Sequence, residues 1–205
     1  MASEATPRTE SAVEQGLDVE QYRAFIEAVR ENPGMVEGEL RAVGEYEGTA
    51  YHTEARFGPY EMGGEESGAS RDYRLHVGVP GEFEATVGFV DPVDRMESVE
   101  VALGALTTCI TNTISQAALV EGIDVEQITT SVSVPVDLRV LLGVLPATER
   151  ETVIGQPTID IEVEGHGLTE ADRDRLVAMV DLSPMYALVT LAHPTEPTLT
   201  LRAGA

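Results

Sequence analysis

The chain holds one thiol, Cys109, in 205 residues. A single cysteine excludes an internal disulfide framework and a multi-cysteine zinc site. Two roles stay open to it. Free cysteine often packs as a small hydrophobe. As a thiolate it is a nucleophile, but that state needs a cation or a helix N-terminus beside it. Its neighbours at helical spacing are Ala105, Leu106, Asn112 and Thr113, none of them charged. Arg95 lies upstream near the start of the same segment and serves only if the fold returns it to the sulfur. His52, His76, His166 and His193 are scattered, with no HxxxH pair and no local carboxylate cluster. They read as surface or strand histidines, with no metal site and no cofactor expected.

The segment that must position Cys109 is 97–122, the longest stretch without proline. Its first half is apolar almost all the way round, through Val99, Val101, Ala102, Leu103, Ala105, Leu106 and Ile110. A helix of that kind is buried on several sides. Sheets wrapped around it, or the same helix of a second subunit, are the surroundings that can do this. Gly104 and the alanines permit close helix approach.

Around this helix the pattern alternates between strand and helix signals. Residues 1–16 are polar and small and read as a flexible acidic tail. From Asp18 to Glu31 the spacing of Val19, Tyr22, Ile26 and Val29 predicts an amphipathic helix, stopped by Asn32-Pro33-Gly34. Segments 37–46 and 50–57 predict a hairpin around Glu47-Gly48, 58–70 a loop, and 71–79 and 82–90 two strands flanking Pro80-Gly81. Beyond Gly122, Thr130, Val132, Val134, Val136 and Leu138 alternate with polar residues in a long strand, which Pro135 places near an edge or bulge. Ile159, Ile161 and Val163 mark the next strand. Thr169-Glu170-Ala171-Asp172 resembles a capping box, opening a helix with Leu176, Val177 and Val180 inward. A short helix starts at Pro184, and 197–202 closes the chain as a strand. One domain over 17–205, with helix 18–31 as an extension, is the expected organisation.

Thirty-six acidic residues against 13 arginines and no lysine give a formal charge of −23. Such a charge repels polyanions and anionic membranes, so nucleic-acid and membrane partners are disfavoured. Self-repulsion strains the fold in dilute buffer. At ~1 M salt the screening length falls to ~3 Å and the strain is largely removed. A halophilic setting therefore fits, beside the plainer reading of an acidic protein from a GC-rich genome. The first residues lack the basic and apolar regions of a signal peptide, and no apolar run approaches ~18 residues, so the expected compartment is cytoplasmic.

Two motifs together resemble the OsmC/Ohr superfamily. Ser98-Val99-Glu100 through Leu106-Thr107-Thr108-Cys109 is similar to the Pro-x-Glu leucine-rich helix ending in Ala-Ala-Cys of its OsmC-like branch. A strand then leads to Asp137-Leu138-Arg139-Val140-Leu141-Leu142-Gly143, similar to that branch's Asp-Leu-Arg-Gly-aromatic-Leu-Gly. Ser183-Pro184-Met185-Tyr186 resembles its Cys-Pro or Ser-Pro element, and helix 18–31 resembles the longer members, so the likeness covers about 17–203. The resemblance implies an α+β, two-layer fold that is stable as an intertwined homodimer, with sheets enclosing paired central helices.

For activity, the resemblance implies a peroxidatic cysteine at Cys109, a resolving cysteine before the proline, and an Arg–Glu pair that stabilises the thiolate. This chain departs from that pattern in three places. Ser183 stands for the resolving cysteine. Val99 stands where peroxidase branches carry the glutamate, while Glu100 matches the OsmC-like branch. Phe89 stands where one branch carries its arginine, leaving Arg74 and Arg95 to replace it. Cys109, Glu100 and Ser183 are the candidate catalytic residues. Glu100 is also readable as a first-turn acid favoured by the helix dipole, and Ser183 as an N-cap or as a hydroxyl donor to the thiolate. Two functions follow. One is a one-cysteine hydroperoxide reductase in oxidative-stress defence, taking a small organic hydroperoxide and an external thiol reductant. The other is a non-catalytic dimer that binds a small apolar ligand or serves as a scaffold.

Overall fold

The computed structural model describes residues 13–202, and the fold is α+β. The chain divides into two compact units, split between Val101 and Ala102 inside the first turn of the long helix. Of the expected tail, residues 1–12 lie outside the described residues. Val13–Glu14 (β1) already pairs antiparallel with Leu17–Asp18 (β2). No helix among the described residues is long and apolar enough to cross a membrane.

In the first unit, helix α1 spans Val19–Glu31, and the Asp18 carboxylate caps it by accepting from the Gln21 N–H at 3.0 Å. Gly38–Glu39 (β3) pairs with Tyr60–Met62 (β6), which pairs with Glu65–Ser67 (β7). The expected loop 58–70 is thus partly a hairpin. Its turn is Gly63-Gly64, with φ of 62° and 79°, a left-handed pair that glycine adopts without strain. A second sheet runs Val43–Tyr46 (β4), Thr53–Phe57 (β5), Tyr73–Gly78 (β8) and Met96–Glu97 (β9), the last pairing parallel. The hairpin around Glu47-Gly48 is therefore present.

The expected strand 82–90 is instead a helix, α2, over Gly81–Val87. What holds it there is tertiary. The Glu84 carboxylate, fully buried, lies 2.5 Å from His52 Nε2 and accepts the Val93 N–H at 2.7 Å. The Phe89 ring stacks on His52 at 6.2 Å.

In the second unit, helix α3, whose residues run Ser98–Glu121, lies on an antiparallel pair of strands, Val125–Ser133 (β10) and Thr158–Gly165 (β11). The core is one stripe of α3, Leu106, Ile110, Ile114, Ala117 and Ala118, closed by Ile123, Val125, Leu176 and Met179. Ile128, Val132, Ile159, Ile161 and Val163 pack against that stripe from the sheet. A bulge between Val125 and Gln127 adds one residue, so that Val125 and Ile128, three apart, both face inward. The long strand begins earlier than its alternation indicates and stops at Ser133. Past Pro135 only an isolated bridge, Val136 to Ile154, continues it.

Helix α4 spans Glu170–Met179, and its capping box is complete. The Asp172 N–H donates to Thr169 Oγ1 at 3.2 Å, and the Asp172 carboxylate accepts the Thr169 N–H at 3.1 Å. Leu176 points inward as expected and Val180 is half-buried, but Val177 is 61% exposed and Met179 takes the inner place. A short turn leads to α5, Pro184–Thr190. Residues 197–202 form no strand in this chain, and Leu199 and Leu201 are exposed. No strand among the described residues pairs with the segment.

Candidate functional site

The middle of α3 presents Cys109 beside Leu106 and Ile110, both buried, while Cys109 itself is half-buried. Across from it the turn after α4 ends at Ser183, 1% exposed. Pro184 fixes the first helical residue of α5, so the Ser183 hydroxyl falls at the cap position. Its oxygen accepts the Tyr186 N–H at 3.3 Å, and its proton is directed at Cys109 Sγ, 3.2 Å away. The cap and the thiol contact are therefore one arrangement: the N–H occupies a lone pair of the oxygen, and the hydroxyl proton is left for the sulfur.

Glu100 lies in the first turn of α3, and its carboxylate accepts the Glu97 N–H at 2.8 Å. It caps its own helix start. Arg95 pairs with Glu47, and Arg74 with Glu54 and Asp72, so both candidate cations already hold carboxylates. Among the described residues of the second unit, the sulfur's hydrogen-bond partner is Ser183 and no arginine.

The Asp-Leu-Arg motif closes on itself. The Asp137 carboxylate accepts from Arg139 Nε at 2.9 Å and from Nη2 at 2.6 Å, and also accepts the Arg139 backbone N–H at 3.0 Å. The Arg139 side chain, then its backbone N–H, hold the Asp137 carboxyl down at about 2. This turn leaves Leu141 and Val144 exposed.

Two features have no signal in the local sequence. One is a cavity of about 730 Å³ in the second unit, walled by Ile114, Ile161, Val163, Leu176 and Tyr186. Tyr186 is also the residue whose N–H fixes Ser183, so the cavity wall and the thiol share an element. The other is the buried His52–Glu84 pair. The Val93 N–H holds the Glu84 carboxyl below its usual range; burial opposes this, and His52 adds to it. Its partners are 32 residues apart, beyond any spacing rule.

No family model matches the chain, and no curated protein matches it. Among solved structures the chain is similar to an OsmC-like protein from Mycoplasma pneumoniae, at 10% identity and a TM-score of 0.49, over 75% of this chain and 86% of that one. It is similar to the organic hydroperoxide resistance protein OhrB of Bacillus subtilis at 10% identity and a TM-score of 0.42, over 74% of this chain and 90% of the other. A third is the organic hydroperoxide resistance protein OsmC from Legionella pneumophila, a predicted redox protein, at 13% identity and a TM-score of 0.46, over 74% and 89%.

Proposed function

We propose that the chain is an OsmC/Ohr superfamily protein working as a one-cysteine, thiol-dependent organic hydroperoxide reductase. The observation that carries this reading is the 3.2 Å hydrogen bond from Ser183 to the only thiol. It falls where the two-motif resemblance expects a resolving cysteine. In the proposed cycle the Cys109 sulfur attacks the terminal peroxide oxygen, the O–O bond breaks, and an alcohol leaves with one proton. Cys109 becomes a sulfenic acid. An external thiol then forms a mixed disulfide and releases water, and a second external thiol restores Cys109 and leaves as the external disulfide. With serine at 183 no internal disulfide can take the first of these thiols' place. In this reading Ser183 positions the sulfur and Glu100 fixes the start of α3.

A homodimer is part of the proposal. Ala102, Gly104 and Ala105 of α3 are exposed, and nothing lies within 4 Å of where a Cβ on Gly104 would stand. A reducing cytoplasm fits a thiol that must be returned to its reduced state. A second reading, an apolar-ligand protein without peroxidase chemistry, is favoured by the cavity of about 730 Å³.

The test is exposure to an organic hydroperoxide with a sulfenic-acid trap, read by mass spectrometry. The reductase reading expects trapped Cys109 and dithiol-dependent turnover. Cys109→Ser should abolish turnover with the melting midpoint almost unchanged. Cys109 left unmodified at millimolar peroxide would overturn this reading in favour of ligand binding.

A further inference from the structure

We infer that the first unit carries a binding site for a small organic monocarboxylate, centred on Arg71. It uses none of the residues of the thiol site and does not rest on the reductase reading. Three segments carry the chain between the β3–β6–β7 sheet and the β4–β5–β8–β9 sheet: residues 40–42, Gly58-Pro59, and residues 68–72. Residues from all three bound a cleft of about 410 Å³, together with the ends of β4 and β5. Sites for small molecules commonly occupy roughly 300–1,000 Å³.

Arg71 is fixed in place before any ligand arrives. Its Nε donates to the Gly58 carbonyl at 3.3 Å, and its guanidinium lies over the rings of Tyr60 and Tyr73, 5.4 and 5.0 Å from their centroids. Gly68 makes room for it. A Cβ there would stand 2.4 Å from Arg71 Cδ and 3.0 Å from Tyr60 Cε1, and the backbone φ of 69° also favours glycine. The two Nη groups have no hydrogen-bond partner among the described residues.

Acidic residues number 36 and arginines 13, so most arginines find a carboxylate. Among the described residues, eight arginines have a carboxylate within 4.0 Å. Arg23, Arg150 and Arg202 share the lack with Arg71, but none of them is held over a ring among the described residues. Within the cleft Arg41 is matched by Glu39 and Glu61, and Arg56 by Glu45 and Glu54. Of the three arginines that line the cleft, Arg71 alone has no carboxylate partner among the described residues, so its planar two-pronged donor is free to bind. This matches one carboxylate, with Val43, Phe57 and Pro59 against the apolar body. A phosphate dianion would bring its second charge against Glu45 and Asp72.

The test is titration of the isotope-labelled full chain with benzoate at constant KCl, followed by amide shifts. Benzoate should give saturable shifts at 41–45, 56–60 and 71–73. Arg71→Gln should weaken it roughly tenfold or more, and Arg71→Lys, which keeps the charge and loses the fork, should fall between. Benzamide and inorganic phosphate should each bind at least roughly tenfold more weakly, and Arg150→Gln should change nothing. Equal binding of benzoate and benzamide, an affinity unchanged in Arg71→Gln, or no saturable shift overturns the site. Tighter binding of phosphate overturns the carboxylate assignment. If Arg71→Gln does not fold, Arg71→Lys decides: an affinity equal to that of the native protein counts against the site.

Discussion

Ser183 and Asp137 show how much a single side chain does here. The Ser183 hydroxyl caps α5 and donates to Cys109 at once. Ser183→Cys should therefore place a second sulfur within reach of the first, because 3.2 Å between Oγ and Sγ needs only a modest side-chain adjustment to the ~2.05 Å of an S–S bond. Oxidation by added peroxide should then give an internal disulfide, seen as a mass loss of about two hydrogen atoms and as thiols closed to alkylation. Two free thiols after oxidation would place the pair wrongly. Asp137 makes a pH prediction. Its folded pKa lies below its ordinary 3.8, at about 2. Its contribution to stability is thus present above 3.8 and is lost as the pH falls from there toward about 2. Asp137→Asn should destabilise the protein at neutral pH, with the difference from the native protein shrinking across that window. A gap that stays constant from pH 5 to about 2 would count against the pairing.

Among the elements, α4 is the best specified locally. Thr169 and Asp172 satisfy each other's backbone donors at the start of the helix, so Thr169→Ala should cost about 1 kcal/mol, measured by urea unfolding at pH 7. A change within error would mean that tertiary packing alone holds this end. Helix α2 makes the opposite point. The segment 82–90 alternates well enough to pass for a strand, yet Glu84 is drawn inward by His52 and Val93. The turn at Gly63-Gly64 lay within a stretch of Gly, Glu and Ser that composition reads as loop. The glycine pair was its one local hairpin signal.

Across the whole molecule the charge of −23 and the exposed face of α3 govern behaviour. The melting midpoint should rise between low salt and ~2 M KCl as repulsion is screened, by roughly 2–4 °C for each kcal/mol relieved. A flat or falling curve would reject the halophilic reading. Light scattering in the same KCl series should give twice the mass of one chain. A folded monomer at micromolar concentration would overturn the proposed dimer.

Periodicity and caps are properties of neighbouring residues, and they determined α1, α3, α4 and β11 to within about two residues and the start of α5. The hydrophobic repeat sets which face is buried, while Asp18, Thr169 and Ser183 set where helices begin. The motif around Cys109 likewise marked the thiol, whereas Asp137 and Leu138, read as the end of a long strand, lie in a turn. Only the tertiary structure decided between a cap and a thiol contact for Ser183, which meets Cys109 across 74 residues, brought His52 to Glu84 of the 81–87 helix, and gathered three linkers around Arg71. Contacts of that kind depend on where the chain returns, and no local pattern encodes the distance of a side chain from one it meets only after folding.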